Sequence, residues 1–244
     1  MSEESRARPP SKTRLFQAVR SLDARTVVSM LGANAELKDA ADERGRNALH
    51  LLCSLDGARI DKAASLELAG HLLRAGIDIN APAFVEGAFK ATPLWYAIGR
   101  GRNLSLARRL LDSGSSPEYC LWAAAFADDV EAIDLLVRSG ARLDPVTEDE
   151  TPFLSAIKWS RFAAAERLLR HGANVNFQNS KGVTALHMVL KKDSDRRHVL
   201  MLLRHGADPT LRSKDGKTPL DLVARRRDKT YFELLSGKGG AARQ

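Results

Sequence analysis

The chain has 244 residues, 44% of them apolar, with two cysteines and a net charge of +8. The apolar share supports a sizeable core, no stretch approaches the roughly 18 apolar residues of a membrane span, and MSEESRARPPSKTR lacks the apolar centre of a secretory leader; a cytoplasmic protein without membrane insertion is expected. The charge is uneven, with 19 Lys+Arg against 22 Asp+Glu in residues 1–154 (−3) and 19 against 8 in residues 155–244 (+11), so the basic second part favours an acidic partner, be it protein, nucleic acid or anionic surface.

Residues 1–11 are polar, include Pro9 and Pro10, and are expected to form a disordered tail. From Thr13 to Leu31, the apolar residues Leu15, Phe16, Val19, Leu22, Val27, Val28 and Leu31 predict two short helices broken near Asp23. A four-residue helix start then recurs: NALH at Asn47, TPLW at Thr92, TPFL at Thr151, TALH at Thr184 and TPLD at Thr218. Its first side chain can cap free backbone N–H groups, and proline, where present, sits in the first helical turn, which needs no N–H from it. The plainest copy spans Leu168–Leu190, where Leu168 and Leu169 close a helix and Gly172 supplies the left-handed stop. Val175, Asn176, Asn179 and Gly182 make a polar turn before Thr184 opens the next helix. The stops Gly140, Gly172 and Gly206 are 32 and 34 residues apart.

This period of about 33 residues, with T-P-L-H-like starts after G-A-D-V-N-like turns, resembles the ankyrin-repeat family, and the resemblance covers about nine tenths of the chain. It implies an all-α repeat solenoid of stacked helix-turn-helix repeats with hairpin turns, about six repeats behind an N-terminal helical cap. One repeat domain is expected over residues 12–236, with a flexible tail at 237–244. Several units depart from the pattern. About eight extra residues within Ser54–Ala64 lengthen one inter-helix loop, and the turn Ala81–Ala91 is enlarged and carries Phe84, Val85 and Phe89, which either fold back or meet a partner. Tyr119, which stands where threonine is expected, comes only five positions after Gly114, so that hairpin is expected to be lost; Asp221 occupies the last histidine slot.

No enzyme chemistry is indicated. Cys53 and Cys120 lie in apolar helical patterns and read as buried thiols. His50 and His187 fill the T-P-L-H slot, His171 and His205 end helices, and no histidine is expected to pair with a carboxylate at ligand spacing. Neither G-x-S-x-G nor H-E-x-x-H occurs, and Gly99-Arg100-Gly101 lacks a phosphate-loop context. No catalytic residue, cofactor or metal is expected.

The resemblance implies a binding surface on turn tips and on the exposed ends of each repeat's first helix. Carried across, those helix ends are Phe126 and Ala127, Lys158 and Trp159, Lys191 and Lys192, and Arg225 and Arg226, with Lys181, Arg212, Lys214 and Lys217 on the adjoining turns. The expected function is a monomeric, non-catalytic adaptor or scaffold whose basic, aromatic-anchored concave face binds an acidic segment of a partner protein. The alternative is a binder of nucleic acid or another polyanion through the same surface, ranked lower because few aromatics interleave the basic residues. Arginine outnumbers lysine 26 to 12, a bias pointing weakly to a GC-rich bacterial genome, which leaves open both action in the protein's own cytoplasm and delivery into a host cell.

Overall fold

The structure is a computed structural model that describes residues 10–86, 89–192, 194–226 and 229–236. The chain divides into two compact units, Met1–Cys120 and Leu121–Gln244. In the first, α1 (Lys12–Arg20) and α2 (Ala24–Ala33) pack as a pair, followed by a 3-10 turn (Ala35–Asp39). Asp23 caps α2 through Thr26 N–H (3.0 Å), and Leu15, Phe16 and Val19 are buried with Val27 and Met30. Then come α3 (Ala48–Cys53) with α4 (Lys62–Arg74), a two-residue strand pair β1 (Val85–Glu86) and β2 (Phe89–Lys90), and α5 (Pro93–Gly99) with α6 (Leu104–Asp112). Lateral packing runs α1 to α3 to α5 among first helices and α2 to α4 to α6 among second helices.

The boundary between the units falls at the start of α7 (Cys120–Ala127), which is followed by α8 (Val130–Arg138), α9 (Pro152–Lys158), α10 (Phe162–Arg170), α11 (Ala185–Lys191), α12 (Arg196–Arg204), α13 (Pro219–Arg226) and α14 (Lys229–Leu235). Here α9, α11 and α13 pack side by side and α8 packs on α10. Nearest-neighbour packing of helical pairs is how a repeat buries the face it cannot bury alone.

The recurring segment does what its chemistry predicts. Thr151 Oγ1 accepts from Leu154 N–H (3.1 Å), Thr184 from His187 N–H (3.4 Å) and Thr218 from Asp221 N–H (3.1 Å). Such a cap contributes about 1 kcal/mol. His187 completes a capping box with Thr184 and contacts Lys217 O through Nε2 at 3.0 Å, tying one helix start to the next. His50 repeats this with Asn47 and Ala91 O (3.1 Å). Asp221 performs only the local half, its carboxylate accepting from Thr218 N–H (2.9 Å). At the stop, Gly172 has φ +96, its N–H reaches Leu169 O (2.9 Å), and Ala173 N–H reaches Leu168 O (3.0 Å). This paired closure satisfies carbonyls that the helix end leaves free.

The irregular units are ordered by other means. In the long α3–α4 loop, Gly57 N–H donates to Gly101 O at 2.6 Å. Buried Asn103 caps α6 through Leu106 N–H (3.1 Å) and donates to Ser65 Oγ (3.4 Å). The enlarged turn is a hairpin, with Val85 opposite Lys90 and Ala83 N–H bonded to Ala91 O (3.0 Å), and it sits so close to Gly45 that a Cβ there would lie 2.7 Å from Ala83 O. Its backbone thus folds back, while Phe84 stays 51% exposed; the side chains of Val85 and Phe89 lie outside the described residues. Where the Gly114–Tyr119 link is short, Asn80 Oδ1 accepts from Ser116 N–H (2.8 Å) and bridges the gap.

Candidate partner-binding site

Trp159 is the C-cap residue of α9, whose buried face is already filled by Phe153, Leu154, Ala156 and Ile157. The indole has no core position left and is 54% exposed, as is Phe126, near the end of α7, at 56%. The two rings meet edge to face, with centroids 5.9 Å apart and planes at 78°. That geometry matches the quadrupoles of two aromatic rings.

Cations surround the pair. Lys158 Nζ lies 5.8 Å from the Trp159 ring centre and donates to Glu150 Oε1 at 2.7 Å. The other oxygen of Glu150 accepts from Ser155 Oγ at 2.7 Å, which fixes the carboxylate in place. Arg161 lies 5.5 Å over Phe126. Lys192 donates from α11 to the carbonyls of Lys158 and, at 3.5 Å, Ile157. Those carbonyls belong to the last turn of α9, where the helix dipole favours positive charge.

The patch is held from below by a cap that crosses from one helical pair to the next. The N-cap position of α10 is Arg161, whose side chain makes no cap bond. Asp128 supplies the acceptor instead, its Oδ1 taking Ala164 N–H at 2.7 Å from 36 residues away. Asp128 and Ser160 both adopt left-handed backbone, φ +55 and +57, at the equivalent bends after α7 and α9. The end of α7 is thereby tied to the start of α10, which keeps the Phe126 ring on Trp159. One pair further on, Phe162 stacks on His198 at 3.4 Å with planes 7° apart, and burial, helped by the Arg197 charge, lowers the histidine pKa.

The structure brings Phe126, Lys158, Trp159 and Lys192 together, and adds Arg161, Glu150 and Asp128, which the spacing argument missed. Lys191 is exposed beside Lys192. Lys181, Arg212 and Lys214 occupy adjoining turn tips, where Lys214 N–H bonds Lys181 O (2.9 Å) and Arg212 Nη1 donates to Gly216 O (2.8 Å). The side chains of Arg225 and Arg226 lie outside the described residues. One expectation about histidine is corrected: His171 Nε2 lies 2.7 Å from Asp134 Oδ1, and Arg167 bonds the other oxygen at 3.0 Å. The histidine bond, more than the arginine charge, holds the Asp134 pKa below its usual range. Thirty-seven residues separate this pair, a cross-repeat contact that local spacing does not display.

Burial pushes the Cys120 thiol up to about 12 and Cys53 higher still, so neither is a nucleophile near neutral pH. Among the described residues no group of three or more His, Cys, Asp or Glu is placed to hold a metal ion, and no helix is long and apolar enough to cross a membrane.

The sequence matches the family description "Ankyrin repeats (3 copies)" at residues 94–179, 120–213 and 161–242. A search of curated proteins finds no match. Among solved structures, the ankyrin repeat domain of Bcl-3, described as a unique member of the IkappaB protein family, is similar at 25% identity and a TM-score of 0.72, covering 96% of this chain and 100% of that one. The ankyrin repeat domain of human ASB11 is similar at 22% identity and a TM-score of 0.68, covering 91% and 95%. An ankyrin repeat domain from Acinetobacter baumannii AYE is similar at 26% identity and a TM-score of 0.64, covering 81% and 100%.

Proposed function

This chain belongs to the ankyrin-repeat family, and from that premise we propose that it is a non-catalytic protein-interaction module whose partner docks on the Phe126–Trp159 pair. The observation that carries the reading is the pair itself: two large rings, each more than half exposed, in contact with one another and ringed by cations from successive helical pairs. Exposed tryptophan flanked by basic side chains is the composition of an interface hot spot. The partner segment that fits has an apolar anchor for the rings followed by carboxylates for Lys158, Lys191 and Lys192, the anchor supplying affinity and the charges steering and register.

A protein is favoured over a polyanion because few aromatics interleave the basic row: its exposed rings, Phe126 and Trp159, pair with each other rather than standing as a series of base-stacking platforms. The test is photo-crosslinking in cells from a benzophenone amino acid at Phe126. Adducts to one protein, lost on Trp159→Ala, are expected; adducts to nucleic acid would instead establish the polyanion reading.

A further inference from the structure

A second surface, on other elements, points to another contact. In the first unit, α2, the 3-10 turn after it and the end of α4 enclose a groove of about 310 Å³. Its floor is apolar, made by Leu31, Ala35, Ala75 and Val28, the last 44% exposed. Its rim is basic, made by Lys38 and Arg74 with His71 between them, and among the described residues no carboxylate lines it. Positive charge extends past the rim, because a Cβ added at Gly70 would lie 3.3 Å from Arg74 Nη1 and 3.9 Å from Arg109 Nη2. Two guanidiniums therefore face one glycine. Glu67 lies beside the rim, 3.6 Å from His71 Nε2 and 68% exposed, while His71 Nδ1 takes a hydrogen bond from Arg74 Nη2 at 3.0 Å.

Gly32 lines the groove without a side chain. It stands four residues after Val28 on the same face of α2, inside the helix, where glycine is less stable than alanine by roughly 0.5–1 kcal/mol. Neither of the usual reasons for glycine applies: its φ is not positive, and nothing lies within 4 Å of where a Cβ would be. Any larger side chain would fill the slot that Val28, Leu31 and Ala35 line. A small molecule bound tightly needs most of its surface covered, whereas Val28, Gly32, Ala35, Lys38 and Arg74 are all exposed and cover one side only.

We propose that this groove is a docking site for an amphipathic helix of a partner protein, with a leucine- or phenylalanine-sized side chain over Gly32 and carboxylates three or four residues away against Lys38 and Arg74. The charge of the rim chooses the acidic flanks, and the apolar floor chooses the anchor. This site is independent of the Phe126–Trp159 patch and does not rest on it.

The experiment pans a display library of random 16-residue peptides on the full chain, with counter-selection on the Gly32→Leu variant. That variant has room for its side chain and should fold like wild type, checked by circular dichroism. Enriched clones should carry an apolar residue with Asp or Glu three or four positions away. They should bind Trp159→Ala as well as wild type, and weaken about tenfold or more on Lys38→Glu with Arg74→Glu. Failure to recover any clone that distinguishes wild type from Gly32→Leu, or recovery of neutral or basic clones, would overturn the proposal.

Discussion

Between Thr151 and Val223 the first helix of each pair is capped by threonine, and Gly172 and Gly206 stop helices in left-handed backbone; between Asn47 and Asn103 asparagine, aspartate and threonine all serve as caps, and two glycines touch. The regular stretch uses glycine for conformation: Gly172 has φ +96 and open space around its missing Cβ. The irregular stretch uses it for room: a Cβ at Gly101 would lie 2.3 Å from Cys53 O and 2.9 Å from Leu55 O, and its φ is ordinary. The contrast teaches that a cap needs only an acceptor at the right spacing, whereas a longer loop survives by bringing backbone onto backbone.

The comparison breaks most visibly at those two glycines. Gly101→Ala must push main chain aside and should destabilise by about 3 kcal/mol, at the upper end of overpacking costs. Gly172→Ala meets only the left-handed penalty of about 1–2 kcal/mol, and Gly172→Asn less, since asparagine tolerates that region. Urea unfolding of the three variants checks the order; equal losses for the two alanine variants would erase the distinction.

A second contrast concerns acid. Burial first of all lowers the His50 pKa from 6.5 to about 4. A base whose folded pKa is depressed contributes stability that is fully present above pH 6.5 and is lost as pH falls from there toward 4, because the unfolded state takes up the proton first. The depression corresponds to about 3 kcal/mol. Unfolding measured from pH 7 to 4.5 should therefore show a loss that His50→Gln reduces; an unchanged pH slope in the variant would remove His50 as its source.

Much of the fold was legible because its signals are local. The cap, the first-turn proline and the glycine stop each act within about five residues, and the structure places them as the sequence indicates. The exposure of Trp159 was legible too, by elimination, since Phe153, Leu154, Ala156 and Ile157 already fill α9's buried face. Contacts between neighbouring repeats were not. Asp128 reaches Ala164 across 36 residues, His171 reaches Asp134 across 37, and Lys192 binds carbonyls of α9. Side chains that meet only after stacking leave no spacing to read, and that Arg161 stands at a cap position without serving as a cap is seen only in the structure. The groove at Gly32 was hidden for the same reason, because its walls come from two helical pairs.

The cross-repeat cap gives a smaller effect. Asp128→Ala should destabilise by about 1–2 kcal/mol through loss of the acceptor and a left-handed alanine, while Asp128→Asn, which keeps both properties, should stay near wild type. Thermal melts of the pair test this. If asparagine lost as much as alanine, the carboxylate charge rather than the cap would be what matters.

The smallest expected change in stability is paired with the largest in binding. Trp159→Ala removes a ring that fills no core, so its unfolding free energy should stay within about 0.5 kcal/mol of wild type. With the protein recovered by crosslinking at Phe126, titration calorimetry on folded Trp159→Ala is the most direct measurement. The expected loss is about 2 kcal/mol or more in binding free energy, the range of a hot spot. Affinity within about twofold of wild type, less than 0.5 kcal/mol, would contradict the assignment of this patch as the partner site.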